Sequence, residues 1–251
     1  MKAAGSAVGV LPGGRLTVEN AYAYSRFART VLGTNNIDFR SRAASEEEAE
    51  FLASRVAGRG MDVTYSDLEA AKHVVLVSYE PEDETSVVFL RLRKAVRKNG
   101  LKVTTLAPFA SRGTQKLSAT LIPVAPGAEA QTLEAMELEE GTIILVGERA
   151  ACQPGLLSEI SSKAIRSGAR LAWMPRRAGD MGAIAAGCLP GLLPGGRPIS
   201  SAKARVDMAA AWGVDTLPTD PGLSVAEQFA SAQEGHLKAF LVAGGDPHDM
   251  P

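Results

Sequence analysis

Carboxylates form the densest group of chemically active side chains in the chain: Glu80, Glu82, Asp83 and Glu84 directly follow the apolar run VVLVS at 74–78. At the carboxyl end of a strand, such groups lie where an open α/β sheet binds its ligands. They also stabilise the positive N-terminus of a following helix. A metal site is disfavoured because no histidine accompanies them, and a pyrophosphate would be repelled. We therefore predict a solvated acidic helix start here.

The two cysteines and three histidines are scattered along the chain, at Cys152, Cys188, His73, His236 and His248. Two distant thiols cannot build an iron–sulfur cluster or a cysteine zinc site, so each is predicted to be a small buried apolar residue. No HExxH or GxSxG motif accompanies the histidines. The chain is therefore predicted to hold no catalytic residue and no metal ligand, and His248 is the histidine best placed to contact a ligand.

Glycine-rich turns follow apparent strands at 5–14 and at Gly244–Gly245. Backbone amides in such turns can hold a phosphate, but neither turn matches GxGxxG or a P-loop. Plain turns are the preferred interpretation because glycine is the usual residue of tight turns. A simple nucleotide-binding domain that uses Gly13–Gly14 and Gly244–Gly245 stays open as an alternative.

A run of basic residues falls on one predicted helix, at Arg91, Arg93, Lys94, Arg97 and Lys98. No aromatic side chain lies among these basic residues, whereas a nucleic-acid surface would favour aromatic side chains on which bases can stack. A solvated helix face is the preferred interpretation, and a contact with another subunit is the sharper alternative.

Composition limits the possible functions further. A formal net charge of -1 gives no general attraction to nucleic acid or anionic lipid. No apolar run approaches the roughly 18 residues that span a bilayer. Residues 1–10 lack the charged and hydrophobic regions of a signal peptide. We expect a cytoplasmic protein with no nucleic-acid partner and no direct membrane insertion.

Short apolar runs alternate with helical stretches, which is typical of a parallel sheet. Their nearly continuous apolarity predicts helices on both faces. The predicted strands are 74–78, 103–106, 142–146, 171–174 and 239–243, with weaker candidates at 7–11 and 63–65. The predicted helices are 17–32, 85–99, 156–167, 200–211 and 224–234. The predicted fold class is α/β, with doubly wound, mainly parallel sheets.

A second β-α series starts at Gly141, which predicts a joint near Glu139 between a first α/β lobe at 1–138 and a second lobe at 139–251. The last predicted strand leads into GGDPHDMP instead of a helix. We therefore expect the second lobe to be truncated at its C-terminus.

The segment GCLPGLLPGGRP at 187–198 has too many prolines and glycines for a helix or a strand. It is predicted to be an ordered loop. Leu192 and Leu193 are expected to pack against a partner surface or the second lobe, because paired exposed leucines are unusual in a lone monomer.

Four strings carry a family resemblance in order along the chain. They are GGRLTVENAYAYSRFARTVLGTNNIDFRSR at 13–42, HVVLVSYEPEDETSVVFLRLRKAVRKNG at 73–100, APGAEAQTLEAM at 125–136 and AFLVAGGDP at 239–247. They resemble four segments of molybdopterin oxidoreductases, in the same order. The first resembles the segment after the iron–sulfur region, and the second resembles the strand with its Asn-Pro-type loop and basic helix. The third resembles the Pro-Gly-Thr-Asp turn, and the fourth resembles the Gly-Glu-Asn-Pro loop. Formate dehydrogenases and periplasmic-type nitrate reductases belong to that superfamily.

Three further strings are similar to one branch of that superfamily. They are VGERAACQPG at 146–155, LAWMPRRAGDMGA at 171–183 and GCLPGLLPGGRP at 187–198. That branch is the family of large iron–sulfur subunits, the G subunits, of bacterial NADH-quinone oxidoreductase (complex I). The resemblance implies a structural region of the peripheral arm, with other peripheral-arm subunits as partners, at the inner face of the cell membrane. It places the electron-carrying iron–sulfur clusters of the parent protein outside this chain.

Active members of the superfamily ligate their metal through a cysteine, selenocysteine or serine and bind a pyranopterin guanine dinucleotide. Soon after Asp38, where that ligand is expected, residues 39–52 offer serine and arginine but no cysteine. The Asn-Pro loop has become Tyr79-Glu80-Pro81. The resemblance thus implies a vestigial molybdopterin fold without a cofactor. The alternative is an active, formate dehydrogenase-like region, whose cofactor-binding residues would be Gly33, Thr34, Asn35, Glu80, Gly245 and Asp246.

Overall fold

The structure is a computed structural model that describes residues 5, 7–40, 42 and 45–244. Contacts between residues divide the chain into two compact units. The sheet unit is Gly60–Arg176. The split unit combines Met1–Arg59 with Arg177–Pro251. The chain therefore starts in the split unit, builds the whole sheet unit, and returns.

Helices separate the successive strands along residues 8–193, as the sequence predicts. The strands are β1 Val8–Leu11, β2 His73–Val77, β3 Lys102–Ala107, β4 Thr120–Pro123, β5 Ile143–Gly147, β6 Arg170–Met174, β7 Leu192–Leu193, β8 Arg197–Pro198 and β9 Ala239–Val242. The helices are α1 Val18–Phe27, α2 Glu46–Phe51, α3 Tyr65–Ala70, α4 Pro81–Glu84, α5 Ser86–Asn99, α6 Arg112–Lys116, α7 Glu129–Ala135, α8 Leu156–Ser167, α9 Asp180–Ala185, α10 Ala202–Trp212 and α11 Val225–Gln233. No helix among the described residues is long and apolar enough to cross a membrane.

The sheet unit is built on one five-stranded sheet in the order β4-β3-β2-β5-β6. All of its neighbouring strands are parallel. Strand β2 lies at the centre, where Val75 faces Thr104 of β3 and Ile144 of β5. The predicted α/β class with a parallel sheet is confirmed.

Side chains of β2 alternate between two buried faces. Val74 and Leu76 pack with Val88 and Leu92 of α5 in one apolar cluster. Val75, on the opposite face, is also completely buried. Since successive side chains of a strand point to opposite faces, both faces of the sheet are covered, which explains why the strand sequence is apolar throughout.

The two units differ from the lobes predicted with a joint near Glu139. Strand β5 follows that position, yet it pairs with β2 along four residues, from Val74↔Ile143 to Val77↔Val146. Hydrogen bonding between these strands places them in one sheet. Contacts therefore group the chain from Gly60 to Arg176.

The weak strand candidate at 63–65 is wrong. Thr64 caps the start of α3, and its hydroxyl accepts a hydrogen bond from the backbone N–H of Asp67. The Asp67 carboxylate accepts in return from the backbone N–H of Thr64. This capping box makes the segment a helix start.

In the split unit, β1 pairs in parallel with β9, so both terminal strand predictions are confirmed. The helix predicted from Thr17 begins with that residue as its N-cap. A π-helical turn at Ala28–Leu32 continues it, and Gly33 ends it in the left-handed conformation, with φ 67°. Glycine adopts this conformation without the steric cost of a Cβ atom.

The segment 187–198 is ordered, but it contains the two-residue strands β7 and β8, which the sequence did not predict. A hairpin this short needs only two paired positions, so the surrounding prolines and glycines can form its turn. Leu192 and Leu193 are both buried within the described structure. Leu193 packs against Met208 and Trp212 of α10, which belongs to the same unit.

Candidate functional site at the carboxyl edge of the sheet

The chain reverses its direction across the sheet between β2 and β5. From β2 it proceeds to β3 and β4 on one side, and from β5 it proceeds to β6 on the other. In doubly wound sheets, ligands bind outside the carboxyl ends of the strands at this switch point. The residues that follow Val77 and Val146 therefore define the candidate site of the sheet unit.

Two backbone features bring these strand ends close together. Ser78 has a left-handed backbone with φ 51°, which is uncommon for a residue with a side chain. A Cβ atom at Gly147 would overlap the carbonyl of Ser78. The same carbonyl accepts a hydrogen bond of 3.3 Å from Nε of Arg149. Glycine at position 147 is thus required by the close approach of the two strand ends.

A crevice of about 390 Å³ lies beside this junction. Its carboxylates come from Glu80, Asp83 and Glu129, and Arg149 is its basic residue. Its other lining residues are Ser78, Tyr79, Thr105, Leu106, Ala107, Pro108, Phe109, Ser111, Thr114 and Gln153. The crevice is therefore acidic on balance.

Two of the four acidic residues after β2, Glu82 and Glu84, are paired with basic side chains instead of being solvated, which corrects the sequence prediction for them, whereas Asp83 is exposed as predicted. Glu84 is nearly buried and forms an ion pair of 2.8 Å with Arg149. Glu82 contacts Lys116 and lies 3.5 Å from Arg112. The hydrogen bond from Lys116 holds the pKa of Glu82 below its usual value.

Glu80 caps the start of α4, so the predicted helix start after β2 is confirmed. Its Oε1 accepts a hydrogen bond of 3.2 Å from the backbone N–H of Glu82, and its Oε2 accepts one from the Ser111 hydroxyl. Its own backbone N–H donates to Oε1 of Glu84 at 2.9 Å. A protein carboxylate thus occupies the position that an anionic ligand would use at a helix start.

These residues do not fit the diphosphate of a pyranopterin guanine dinucleotide. Glu80 already satisfies the amide of Glu82, and α4 is only four residues long. The crevice adds the carboxylates of Asp83 and Glu129. Among the residues that the structure describes, no group of three or more His, Cys, Asp or Glu could hold a metal ion.

Tyr79 and Glu129 show that other polar groups at this edge have internal partners. Burial raises the pKa of Tyr79 well above its usual value, and its hydroxyl contacts that of Thr85. Glu129 is nearly buried and accepts hydrogen bonds from the backbone N–H of Gly127 at 2.7 Å and from Nε2 of Gln153 at 2.8 Å. This edge can therefore position side chains, but its acids are held as hydrogen-bond acceptors.

In the split unit, Thr34 and Asn35 are buried and engaged in internal hydrogen bonds. The Asn35 amide donates to the carbonyls of Pro218 at 3.2 Å and Asp220 at 2.7 Å. Its Oδ1 accepts from Nε of Arg29 at 3.0 Å. The Thr34 hydroxyl accepts a hydrogen bond of 3.0 Å from the backbone N–H of Asn36. These side chains hold the loop itself together.

Arg29 is a fully buried cation whose described hydrogen-bond acceptors are neutral. Its guanidinium donates to Oγ of Ser25 at 2.6 Å and to the carbonyls of Leu192 at 2.6 Å and Leu189 at 3.3 Å. Burial lowers its pKa to about 10. The charge nevertheless remains at neutral pH, so Arg29 fixes the segment 189–192 against α1.

A buried ion network follows the GTNNID string. Arg40 forms a two-point contact with Asp38, at 2.9 and 2.7 Å, and reaches Oε2 of Glu48 at 3.2 Å. The three side chains are at most 2% exposed. Burial by itself lowers the pKa of Arg40, but the Asp38 and Glu48 carboxylates raise it above its usual value. Asp38 also accepts from the backbone N–H of Val225 at 3.1 Å.

The predicted cofactor-binding residues fall in different units. Gly33, Thr34 and Asn35 are consecutive in the split unit, whereas Glu80 belongs to the sheet unit. Gly245, Asp246 and His248 lie outside the described residues. Whether any of them contacts a cofactor stays a prediction.

The two cysteines differ, so the prediction that both are buried is half wrong. Cys188 is completely buried, and burial raises its pKa to about 12. Its Sγ donates to the carbonyl of Ala21 at 3.3 Å. Cys152 is exposed at the end of the 3-10 turn Glu148–Cys152. Sequence alone could not separate them, because both lie in mixed apolar and polar surroundings.

Many cofactor-binding proteins share a parallel doubly wound sheet with a crevice at its switch point. Comparison with protein families identifies the family to which this chain belongs. The molybdopterin oxidoreductase family model matches residues 1–249, so the chain belongs to that family. This confirms the family resemblance of the sequence strings.

Particular relatives are similar over most of the chain. It is 50% identical over its whole length to the G subunit of NADH-quinone oxidoreductase from Mycobacterium tuberculosis, and 50% identical over 97% of its length to that from Streptomyces coelicolor. It is 22% identical to formate dehydrogenase H of Escherichia coli, over 91% of the chain and 41% of that protein. The chain spans about a third of the length of the two G subunits, 32% of each.

Proposed function

We propose that this chain is a non-catalytic structural region of a G subunit in the peripheral arm of NADH-quinone oxidoreductase. In this proposal the parent complex transfers electrons from NADH to quinone through iron–sulfur clusters outside the chain, on the inner side of the cell membrane. Other peripheral-arm subunits are its partners. The chain itself supplies a folded framework and holds no cofactor.

The observation that carries this proposal is the carboxylate of Glu80 at the switch point. An active relative needs a site there that attracts two phosphates, whereas this site presents the acids Glu80, Asp83 and Glu129. Two like charges about 4 Å apart repel by ~1 kcal/mol even in water, and more where solvent is excluded. A helix start offers only about half a positive charge in compensation. The 50% identity to the two G subunits gives independent support.

Elemental analysis tests the proposal directly. The chain is expressed with ample molybdate, purified, and assayed for molybdenum, tungsten and iron and for a released pterin. We expect none in stoichiometric amount. A molybdenum-loaded formate dehydrogenase prepared in parallel is the positive control. Stoichiometric metal together with a pterin would overturn the proposal and favour the oxidoreductase alternative.

Assembly is tested separately with the full-length protein that contains this chain. We expect an affinity-tagged copy to co-purify with the other components of a complex that oxidises NADH. A protein that purifies alone under mild detergent conditions would contradict the proposed place in the complex.

A further inference from the structure

The outer face of α5 carries positive charge that is only partly paired, and neither the fold nor the proposed framework role explains it. Leu90, Arg93, Lys94, Arg97 and Lys98 line an open groove of about 560 Å³ along this helix. We call these five residues the basic groove. Their spacing of three and four residues places them on one side of the helix, over a length of about 12 Å.

The basic groove differs from the rest of the sheet unit in how its arginines are partnered. Lys94 pairs with Glu69, but Arg93 and Arg97 have no carboxylate within ion-pair distance among the described residues. Nε of Arg93 is buried without a hydrogen-bond partner. Every other arginine of the sheet unit forms an ion pair. These are Arg91, Arg112, Arg149, Arg166, Arg170 and Arg176.

Helix stability does not account for this charge. Cations in the last turn interact favourably with the negative end of the helix, which explains Arg97 and Lys98 in part. Arg93 lies in the middle of the helix, where that effect has faded. Leu90 is 59% exposed within the same groove, so most of this apolar side chain stays in water in the described structure.

We infer that the basic groove docks an acidic segment of a neighbouring protein in the complex. Arginine forks bind carboxylates through two parallel hydrogen bonds, and arginine is enriched in protein interfaces where lysine and glutamate are depleted. Carboxylates of the partner would pair with Arg93 and Arg97, and an apolar side chain would cover Leu90. This inference rests on the proposed function, since it requires the chain to sit in an assembly.

Charge favours a protein segment over a membrane or a nucleic acid. The sheet unit contains equal numbers of acidic and basic residues, so it has no net field to draw it to a polyanionic surface. A lipid-facing helix would also need several large apolar side chains on its outer face. Here the exposed large apolar side chains of α5 are only Val87 and Leu90, next to cations.

Photo-crosslinking in the assembled complex tests the inference. Leu90 is replaced by benzoylphenylalanine in the full-length protein, the complex is irradiated in cells and purified, and the adduct is identified by mass spectrometry. We expect a peptide of another component that is rich in Asp and Glu. Ile165 of α8, which is 65% exposed, receives the same replacement as a control and should give no such adduct.

Charge reversal adds a second readout. The variant R97E/K98E changes two exposed side chains and should reduce the yield of the Leu90 adduct about tenfold or more, because like charges would face each other. The matched variant K203E/K238E changes two exposed lysines of the split unit and should leave the yield unchanged.

The possible outcomes separate this inference from the proposed function. An assembled complex that gives no adduct at position 90, an adduct with lipid or nucleic acid, or a peptide without acidic residues overturns the inference alone. An adduct that survives R97E/K98E also overturns it. A full-length protein that never assembles overturns the proposed function, and the inference falls with it.

Discussion

The split unit and the sheet unit differ in how deeply their ion pairs are buried. In the split unit, Asp38, Arg40 and Glu48 are almost completely removed from water. In the sheet unit, Glu82 and Glu84 pair with cations that stay partly exposed, such as Arg149 at 51%. A buried network holds its chain segments in one arrangement because any broken contact leaves a bare charge. A rim network near solvent can lose a partner at little cost, so its residues are freer to change.

The largest effect is expected from placing a new charge inside the sheet unit. Val75→Asp puts a carboxylate between β3 and β5, in the apolar interior of the sheet, and should destabilise the unit by about 4 kcal/mol or more. Urea unfolding followed by Trp173 fluorescence, in a Trp212→Phe background, measures this unit. Lys102→Asp, an exposed change in the neighbouring strand, is the control. Equal midpoints for the two variants would show that the sheet interior is open to water.

Removal of the Arg40 cation from the buried ion network of the split unit should have the next largest effect. Arg40→Ala leaves Asp38 buried without its cationic partner and Glu48 with Arg42 alone, at an expected cost of about 3–5 kcal/mol. Unfolding followed by Trp212 fluorescence, in a Trp173→Phe background, reports on this unit. The matched change Arg166→Ala breaks an exposed pair with Glu159 and should cost less than about 1 kcal/mol. Similar losses for both would remove the contrast between the two kinds of network.

A steric change at the switch point should have a smaller effect. Gly147→Ala adds a methyl group that overlaps the Ser78 carbonyl, and we expect a loss of about 1–3 kcal/mol. Gly191→Ala is the control, because a Cβ atom there meets nothing within 4 Å. Thermal unfolding of the two variants checks the prediction. An unchanged midpoint for Gly147→Ala would mean that the strand ends separate easily.

The smallest effect concerns pH. The pKa of Glu82 is lowered by its hydrogen bond with Lys116, so this pair stabilises the fold above the usual carboxyl pKa of 4.5 and is lost as the pH falls below it. In Lys116→Met, the unfolding midpoint should therefore fall less steeply between about pH 5 and pH 3 than in the wild type. Lys102→Met, which removes an exposed lysine without an ion-pair partner among the described residues, should keep the wild-type slope. A slope in Lys116→Met as steep as the wild type would show that the rim pair contributes nothing.

Much of the fold could be predicted from local patterns. The central strands are apolar runs bounded by breakers, and Gly33 and Gly100 mark helix ends by the left-handed conformation that glycine favours. The strand candidate at 63–65 was wrong because its apolar residues outweighed the Thr64-x-x-Asp67 capping signal. The joint near Glu139 does not coincide with the division by contacts, because pairing between β2 and β5 joins residues about 70 positions apart, which no local pattern reveals.

The candidate site was predictable in position but not in chemistry. The acidic string after VVLVS indicates the carboxyl edge of a strand, and the structure confirms that location. Its partners Lys116 and Arg149 come from distant segments, so the acids were expected to be solvated. The roles of Arg29 and Arg40 were missed for the same reason, since a buried arginine is recognised only when its acceptors are known.

The carboxylate of Glu80 also determines how the protein responds to its surroundings. A fold that depends on a bound cofactor gains stability with the logarithm of free cofactor concentration, and a cell starved of that cofactor accumulates the weaker apo form. At this switch point the anion is part of the chain, so its effective concentration is set by the backbone and does not vary with supply. Under the proposed function, folding of this region therefore requires neither pterin synthesis nor molybdate uptake.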